Sequence, residues 1–87
     1  MKILYLHEFI VELERLDKKA QRQIKERLST LHRTPADSHV PTALKGTQFK
    51  GLYKLRVGDW RLIYKLEKEA VLFVTLGHRS DVYRRSR

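Results

Sequence analysis

The sequence predicts an α+β fold in which helices pack on one face of a small, largely antiparallel sheet. Apolar residues recur at helical spacing between Phe9 and Leu31, whereas from Leu52 onward they fall into runs rich in β-forming residues. A chain of 87 residues has the length of one compact domain, and we expect residues 1–87 to form it. The predicted order is an N-terminal strand, a helical hairpin, a three-stranded antiparallel meander and a short C-terminal segment.

The first half of the chain begins with a short strand and continues as helix. Lys2 to His7 alternates and is apolar on both faces, which is typical of a strand inside a sheet. Asp17 is a candidate N-cap that divides the following helical stretch in two. Pro35 ends the helical pattern, and we expect Thr34 to Ala43 to be a connecting loop. The predicted apolar stripe of the helices contains Leu13, Leu16, Ala20, Ile24, Leu28 and Leu31.

The second half contains three predicted strands. Leu52 to Val57 and Trp60 to Leu66 flank Gly58 and Asp59, a pair that suits a two-residue hairpin turn. Ala70 to Leu76 follows as the third antiparallel strand, and Gly77 begins the C-terminal segment.

The hairpin turn fixes a register, and the register predicts a basic face. Val57 should lie opposite Trp60 and Arg56 opposite Arg61, since opposed residues point to the same side of the sheet. The core face should then contain Tyr53, Leu55, Val57, Trp60, Leu62 and Tyr64, and the other face Lys54, Arg56, Arg61, Ile63 and Lys65. Opposed like charges destabilise a sheet, so we expect a bound polyanion to explain the paired arginines; a merely solvated basic face is the alternative.

Composition limits the classes of function. The formal net charge is +9, of which residues 44–87 carry +7, and this imbalance favours a nucleic-acid partner. The chain has no cysteine and no long apolar window, so we expect a cytoplasmic protein without disulfides or a membrane span. The four histidines lack metal-ligand spacing and no glycine-rich phosphate loop occurs, so we expect neither a metal nor a cofactor.

Two segments of the second half resemble a known family. "LYKLRVGDWRLIYKL" and "LGHRSDVYRR" are similar to the RelE branch of the RelE/ParE superfamily of type II toxin–antitoxin systems. The resemblance implies a ribosome-dependent mRNA endoribonuclease that cuts without a metal ion and inhibits translation. It also implies a cognate RelB-like antitoxin as partner, with the ribosome and mRNA as targets and a toxin–antitoxin hetero-oligomer as the inactive form.

The same resemblance implies catalytic positions. The family's strand lysine, hairpin arginine, arginine after the last strand and C-terminal tyrosine correspond to Lys54, Arg61, Arg79 and Tyr83. Its second lysine corresponds to Leu52 by alignment through the hairpin, or to Arg56 if the loop is shorter. Further RNA contacts are expected from Arg56, His78, Lys65, Arg84 and Arg85.

The chemistry of these side chains suits RNA cleavage through the 2′-hydroxyl. Lys54 is the candidate base because neighbouring cations disfavour a charged lysine, whereas arginine stays protonated. Arg61 and Arg79 would hold the phosphate, Tyr83 would stack on a base or orient the hydroxyl, and His78 would protonate the leaving oxygen. The structural alternatives are that Tyr83 anchors the C-terminal segment and that His78 is a surface turn residue. A ParE-like gyrase inhibitor and a non-catalytic RNA- or ribosome-binding module are the competing functions.

Overall fold

The N-terminal strand is shorter than its apolar pattern predicts. A computed structural model describes residues 2–33, 42–43 and 51–81, and in it β1 spans Lys2–Tyr5. The predicted end at His7 is wrong, because Leu6 is the N-cap of the first helix and His7 is its first residue. The prediction of an interior strand is also wrong: β1 is an edge strand of the described sheet, and Leu4 is 47% exposed.

Two helices follow β1, divided where the sequence predicts. Helix α1 spans His7–Glu14 and helix α2 spans Lys18–Arg33. The predicted cap is confirmed, because the Asp17 carboxylate accepts the backbone N–H of Ala20 at 2.8 Å. The Gln21 side chain donates to the carbonyl oxygen of Leu16, between the helices, at 2.8 Å and to that of Glu14, the last residue of α1, at 3.3 Å. These contacts fix the bend between the helices.

Within the described residues the sheet has five strands in the order β1-β5-β4-β3-β2. Strand β2 is Thr42–Ala43, β3 is Leu52–Val57, β4 is Trp60–Glu67 and β5 is Ala70–His78. Strand β2 corrects the prediction of an uninterrupted loop, because its two residues pair antiparallel with β3. The rest of that predicted loop lies outside the described residues. Strand β5 extends two residues beyond its predicted end and includes Gly77 and His78.

The hairpin register is the one that the Gly58–Asp59 turn predicts. Val57 lies opposite Trp60 and Arg56 opposite Arg61. Gly58 has φ +59°, the left-handed conformation that two-residue hairpin turns require. One residue of β5 has no partner in β4, because Ile63 faces Thr75 and the next residue, Tyr64, faces Phe73. Val74 therefore forms a β-bulge.

The core lies between the helices and one face of the sheet, as the apolar stripe predicts. Phe9, Ile24, Leu62, Phe73 and Leu76 are almost completely buried in it. Aromatic rings form a continuous contact within this layer, with 5.4 to 5.6 Å between neighbouring centroids of Tyr5, Phe9, Phe73 and Tyr64. Burial raises the pKa of the Tyr5 and Tyr64 hydroxyls above their ordinary value.

Helix α1 covers the part of β5 that β1 does not reach. Strand β1 pairs in parallel only with Ala70 to Phe73. Beyond that point the Glu12 carboxylate accepts the Thr75 hydroxyl and the Leu76 backbone N–H, the latter at 3.3 Å. A side chain thus satisfies a strand edge that would otherwise need another strand.

Candidate nucleic-acid interface at the hairpin turn

Arg61 lies beside the hairpin turn and is tied to it. Its Nη1 donates to the carbonyl oxygens of Gly58 and Trp60, both at 2.9 Å, and the residue is only 8% exposed. The arginine opposite Arg56 therefore has a structural reason besides a bound polyanion, since Arg61 satisfies two backbone acceptors of the turn. The same bonds fix the guanidinium in one orientation.

The turn lies close to the Gln23 side chain of helix α2. A Cβ on Gly58 would lie 2.8 Å from the Gln23 amide nitrogen of α2. Gly58 is needed for its positive φ, whereas the exposed Gln23 side chain can move away from an added Cβ.

The other cations of the predicted basic face surround a buried residue, Ile63. Lys54 is half-buried and pairs with Ile63, whereas Arg56 and Lys65 are exposed. Ile63 is completely buried although it lies on the face opposite the helical layer. This face is thus closed to solvent at its middle and basic around it. The positive charge of Lys65 is partly neutralised, because its Nζ lies 3.3 Å from the Glu67 carboxylate.

Arg79 reaches the same end of the sheet from the next strand. Its backbone N–H donates to the Asp59 carbonyl oxygen at 2.8 Å, and its Nε lies 3.9 Å from the Asp59 carboxylate. Both side chains are well exposed, so this ion pair is easily broken by a competing anion. Asp59 was predicted only as a turn residue, and its tether to Arg79 has no signal in the sequence.

His78 is not placed with the cations. It pairs with Trp60 across β4 and β5, so its side chain lies on the helical side of the sheet, opposite to that of Arg61. The imidazole meets the Trp60 indole edge-on, with 5.7 Å between centroids and an interplanar angle of 87°. Proton transfer from His78 to an oxygen held at the Arg61 face is therefore not supported by this arrangement.

Part of the predicted site cannot be placed. Tyr83, Arg84 and Arg85 lie outside the described residues. Among the described residues, no three histidine, aspartate or glutamate side chains cluster to form a metal site. No helix in the described ranges is long and apolar enough to span a membrane.

A family model and the fold together assign the chain to a class, the type II toxins of the RelE/ParE superfamily. The family model described as "ParE toxin of type II toxin-antitoxin system, parDE" matches residues 3–83. The chain therefore belongs to this toxin family, and the superfamily predicted from the sequence motifs is confirmed. No curated protein matches the chain.

Solved structures share the fold at low sequence identity. The RelB–RelE antitoxin–toxin complex of Methanococcus jannaschii is similar with a TM-score of 0.70 and 18% identity, over 92% of this chain and 94% of that one. A RelBE toxin–antitoxin complex of Mycobacterium tuberculosis is similar with a TM-score of 0.70 and 23% identity, over 92% of each chain. A chromosomal ParDE system of Pseudomonas aeruginosa is similar with a TM-score of 0.69 and 11% identity, over 90% of this chain and 95% of that one. These similarities confirm the predicted α+β fold.

Proposed function

We propose that this toxin is a ribosome-dependent mRNA endoribonuclease that inhibits translation in the cytoplasm. The observation that carries the proposal is the arrangement at the hairpin turn. Lys54 and Arg61 lie on one face of adjacent strands, and two turn carbonyls hold the Arg61 guanidinium in a fixed orientation. Donors fixed in advance stabilise developing charge more effectively than mobile ones, because they need no reorganisation during the reaction.

The proposed reaction uses the 2′-hydroxyl of RNA and needs no metal ion. Lys54 takes the hydroxyl proton, the 2′-oxygen attacks the adjacent phosphorus, and the bond to the 5′-oxygen breaks. The departing 5′-oxygen takes a proton from water, so the products are a 2′,3′-cyclic phosphate and a 5′-hydroxyl. Arg61 and Arg79 stabilise the charge on the phosphate, and Tyr83 orients the hydroxyl or stacks on a base. Arg56, Lys65, Arg84 and Arg85 bind the flanking RNA backbone.

A cognate antitoxin is the proposed inhibitor. The similar proteins from Methanococcus jannaschii and Mycobacterium tuberculosis are described as toxin–antitoxin complexes. For this chain we propose an antitoxin with an acidic or amphipathic segment that covers the basic face and supplies its missing counter-charge. Expression of the unmutated chain alone, at normal yield and without toxicity, would count against such a partner.

Mapping of cleavage sites in cells tests the nuclease activity. After induction, primer extension on a reporter mRNA should show new 5′ ends within the translated region only. The Arg61→Ala variant should lose these cuts by two to three orders of magnitude, roughly the effect of removing one preorganised donor. Arg22→Ala, an exposed arginine on α2, is the matched control and should cut normally. Cuts that persist without translation would contradict ribosome dependence.

The family match favours a second candidate function, inhibition of DNA gyrase. The matching model is that of ParE toxins, and the superfamily fold is shared by both activities. Toxicity with intact mRNA, together with loss of gyrase supercoiling activity in the presence of the purified chain, would support this alternative and exclude the nuclease.

A further inference from the structure

A cleft of about 480 Å³ opens on the helical side of the sheet, at the end where the hairpin turns. Its apolar wall is formed by Leu16, Trp60 and Leu76. His78 contributes the rim, where its ring stands edge-on to the indole. The proposed cleavage chemistry uses none of these side chains, because strand alternation places Trp60, Leu76 and His78 on the other face from Lys54 and Arg61.

The charges of the cleft are unsuited to a phosphate. Its other lining side chains include the carboxylates of Glu12 and Asp81 and one guanidinium, that of Arg15. Two anions against one cation disfavour a polyanion at this position. An aromatic wall with separate donors and acceptors is instead typical of sites that hold an unstacked nucleobase.

The turn after β5 fixes the proton on His78. The backbone N–H of Ser80 donates to His78 Nδ1 at 3.2 Å, and the Ser80 hydroxyl lies 2.9 Å from the same nitrogen. A backbone N–H can only donate, so Nδ1 must be an acceptor and the proton of the neutral ring is on Nε2. The ring is therefore set up as a hydrogen-bond donor through Nε2.

We propose that this cleft binds a nucleobase of RNA, packed against the Trp60 indole and accepting a hydrogen bond from His78 Nε2–H. The proposal rests on the proposed function in taking RNA as the ligand. The base of a nucleotide near the cut would then lie on the helical side of the sheet, and the reacting phosphate would lie on the face of Lys54 and Arg61. His78 then selects or positions the base and transfers no proton.

Trp60 provides a direct probe, because it is the only tryptophan of the chain. The full-length toxin is titrated with each of the four ribonucleoside 5′-monophosphates, with excitation at the red edge of the indole band. At least one nucleotide should quench Trp60 emission saturably. Ribose 5-phosphate, which lacks a base, should not. Absence of saturable quenching by all four nucleotides, or equal quenching by ribose 5-phosphate, would overturn the proposal.

Variants of His78 test the donor role. His78→Gln keeps an N–H donor and should bind within a few-fold of the wild type, whereas His78→Ala should weaken binding about tenfold. Lys68→Ala, in the exposed turn between β4 and β5, is the control and should change nothing. Nitrogen NMR shifts of the His78 ring should show the proton on Nε2; a proton on Nδ1, or a glutamine variant as weak as alanine, would contradict the assignment.

The binding assay involves neither ribosomes nor cleavage, so the two proposals fail separately. Cleavage in cells without nucleotide quenching would refute the base site alone. Quenching without cleavage would refute the nuclease and leave the base site standing.

Discussion

Two regions of the molecule are strongly basic, and they differ in the contacts that their cations make. Helix α2 has six lysines and arginines against one glutamate. Of these, Lys18, Arg22 and Lys25 are exposed and form no ion pair within the described part of the chain. At the hairpin turn, in contrast, Arg61 is bound to two carbonyl oxygens and Arg79 approaches Asp59.

The comparison shows that a count of charges locates a basic surface, whereas the contacts of individual cations locate a candidate site. A mobile lysine on a helix attracts any polyanion, with an energy that salt screens. A guanidinium fixed by the backbone meets a phosphate in one geometry and loses little conformational entropy on binding. We therefore expect substitutions at the turn to affect activity and fold strongly, and substitutions on α2 to affect both weakly.

The largest effect is expected at Lys54. Removal of a general base lowers a rate by about two to four orders of magnitude, so Lys54→Ala should nearly abolish mRNA cleavage in a translation extract. Binding of RNA should change little, because Arg56 and Arg61 remain on the same face. Cleavage rates and RNA affinity are measured on the same purified proteins.

Lys54→Arg separates proton transfer from charge. Arginine keeps the cation and stays protonated, so this variant should bind RNA normally and remain inactive. Restored cleavage in Lys54→Arg would show that position 54 supplies only charge. A uniform loss of affinity with no cleavage by any form would favour the non-catalytic RNA-binding module.

Gly58→Ala should show how far the turn depends on its conformation. An alanine at φ +59° costs roughly 1–2 kcal/mol, and its Cβ would also crowd the Gln23 amide. Urea denaturation should show this loss in the free energy of unfolding. Gly58→Asn adds the same Cβ but tolerates positive φ better, so it should lose less. Equal losses in the two variants would assign the effect to the contact with Gln23.

The fold could be predicted from local signals because each element has one. Apolar spacing gave the helices, Asp17 supplied a side-chain acceptor at the right position, and Gly58 with Asp59 fixed the register of β3 and β4. The errors concern strand ends, where tertiary contacts decide. Strand β5 continues through His78 because β4 pairs with it to that point, and β1 stops at Tyr5 because Leu6 begins a helix.

The site was less predictable, because the relevant contacts join distant residues or depend on backbone groups. Register correctly grouped Lys54 with Arg61, but it could not show that turn carbonyls bind the Arg61 guanidinium. The side of the sheet on which His78 lies could not be predicted, because the sequence placed it after the last strand whereas β5 includes it and pairs it with Trp60. Counting charges over half-chains also did not reveal the basic surface of α2, because the acidic residues of α1 offset the lysines and arginines of α2 in that count.

A smaller effect is expected at the start of α2. Asp17→Ala removes the carboxylate that accepts the Ala20 N–H and should lower the free energy of unfolding by about 1 kcal/mol. Asp17→Asn retains a side-chain acceptor and should be close to wild type. An alanine variant as stable as the asparagine variant would mean that the Gln21 contacts with the end of α1 are sufficient to fix the bend.

The smallest effect, and the sharpest test of the comparison, is expected from Lys18→Glu. Lys18 is the first residue of α2, whose first turn has no acidic residue. A carboxylate there would interact favourably with the helix dipole and with Arg22 one turn later, so the variant should gain about 0.5 kcal/mol in stability. Cleavage should stay within a few-fold of the wild type. If cleavage fell as far as in Lys54→Ala while stability rose, the basic surface of α2 would be part of the functional interface, and the distinction between mobile and fixed cations would be wrong for this toxin.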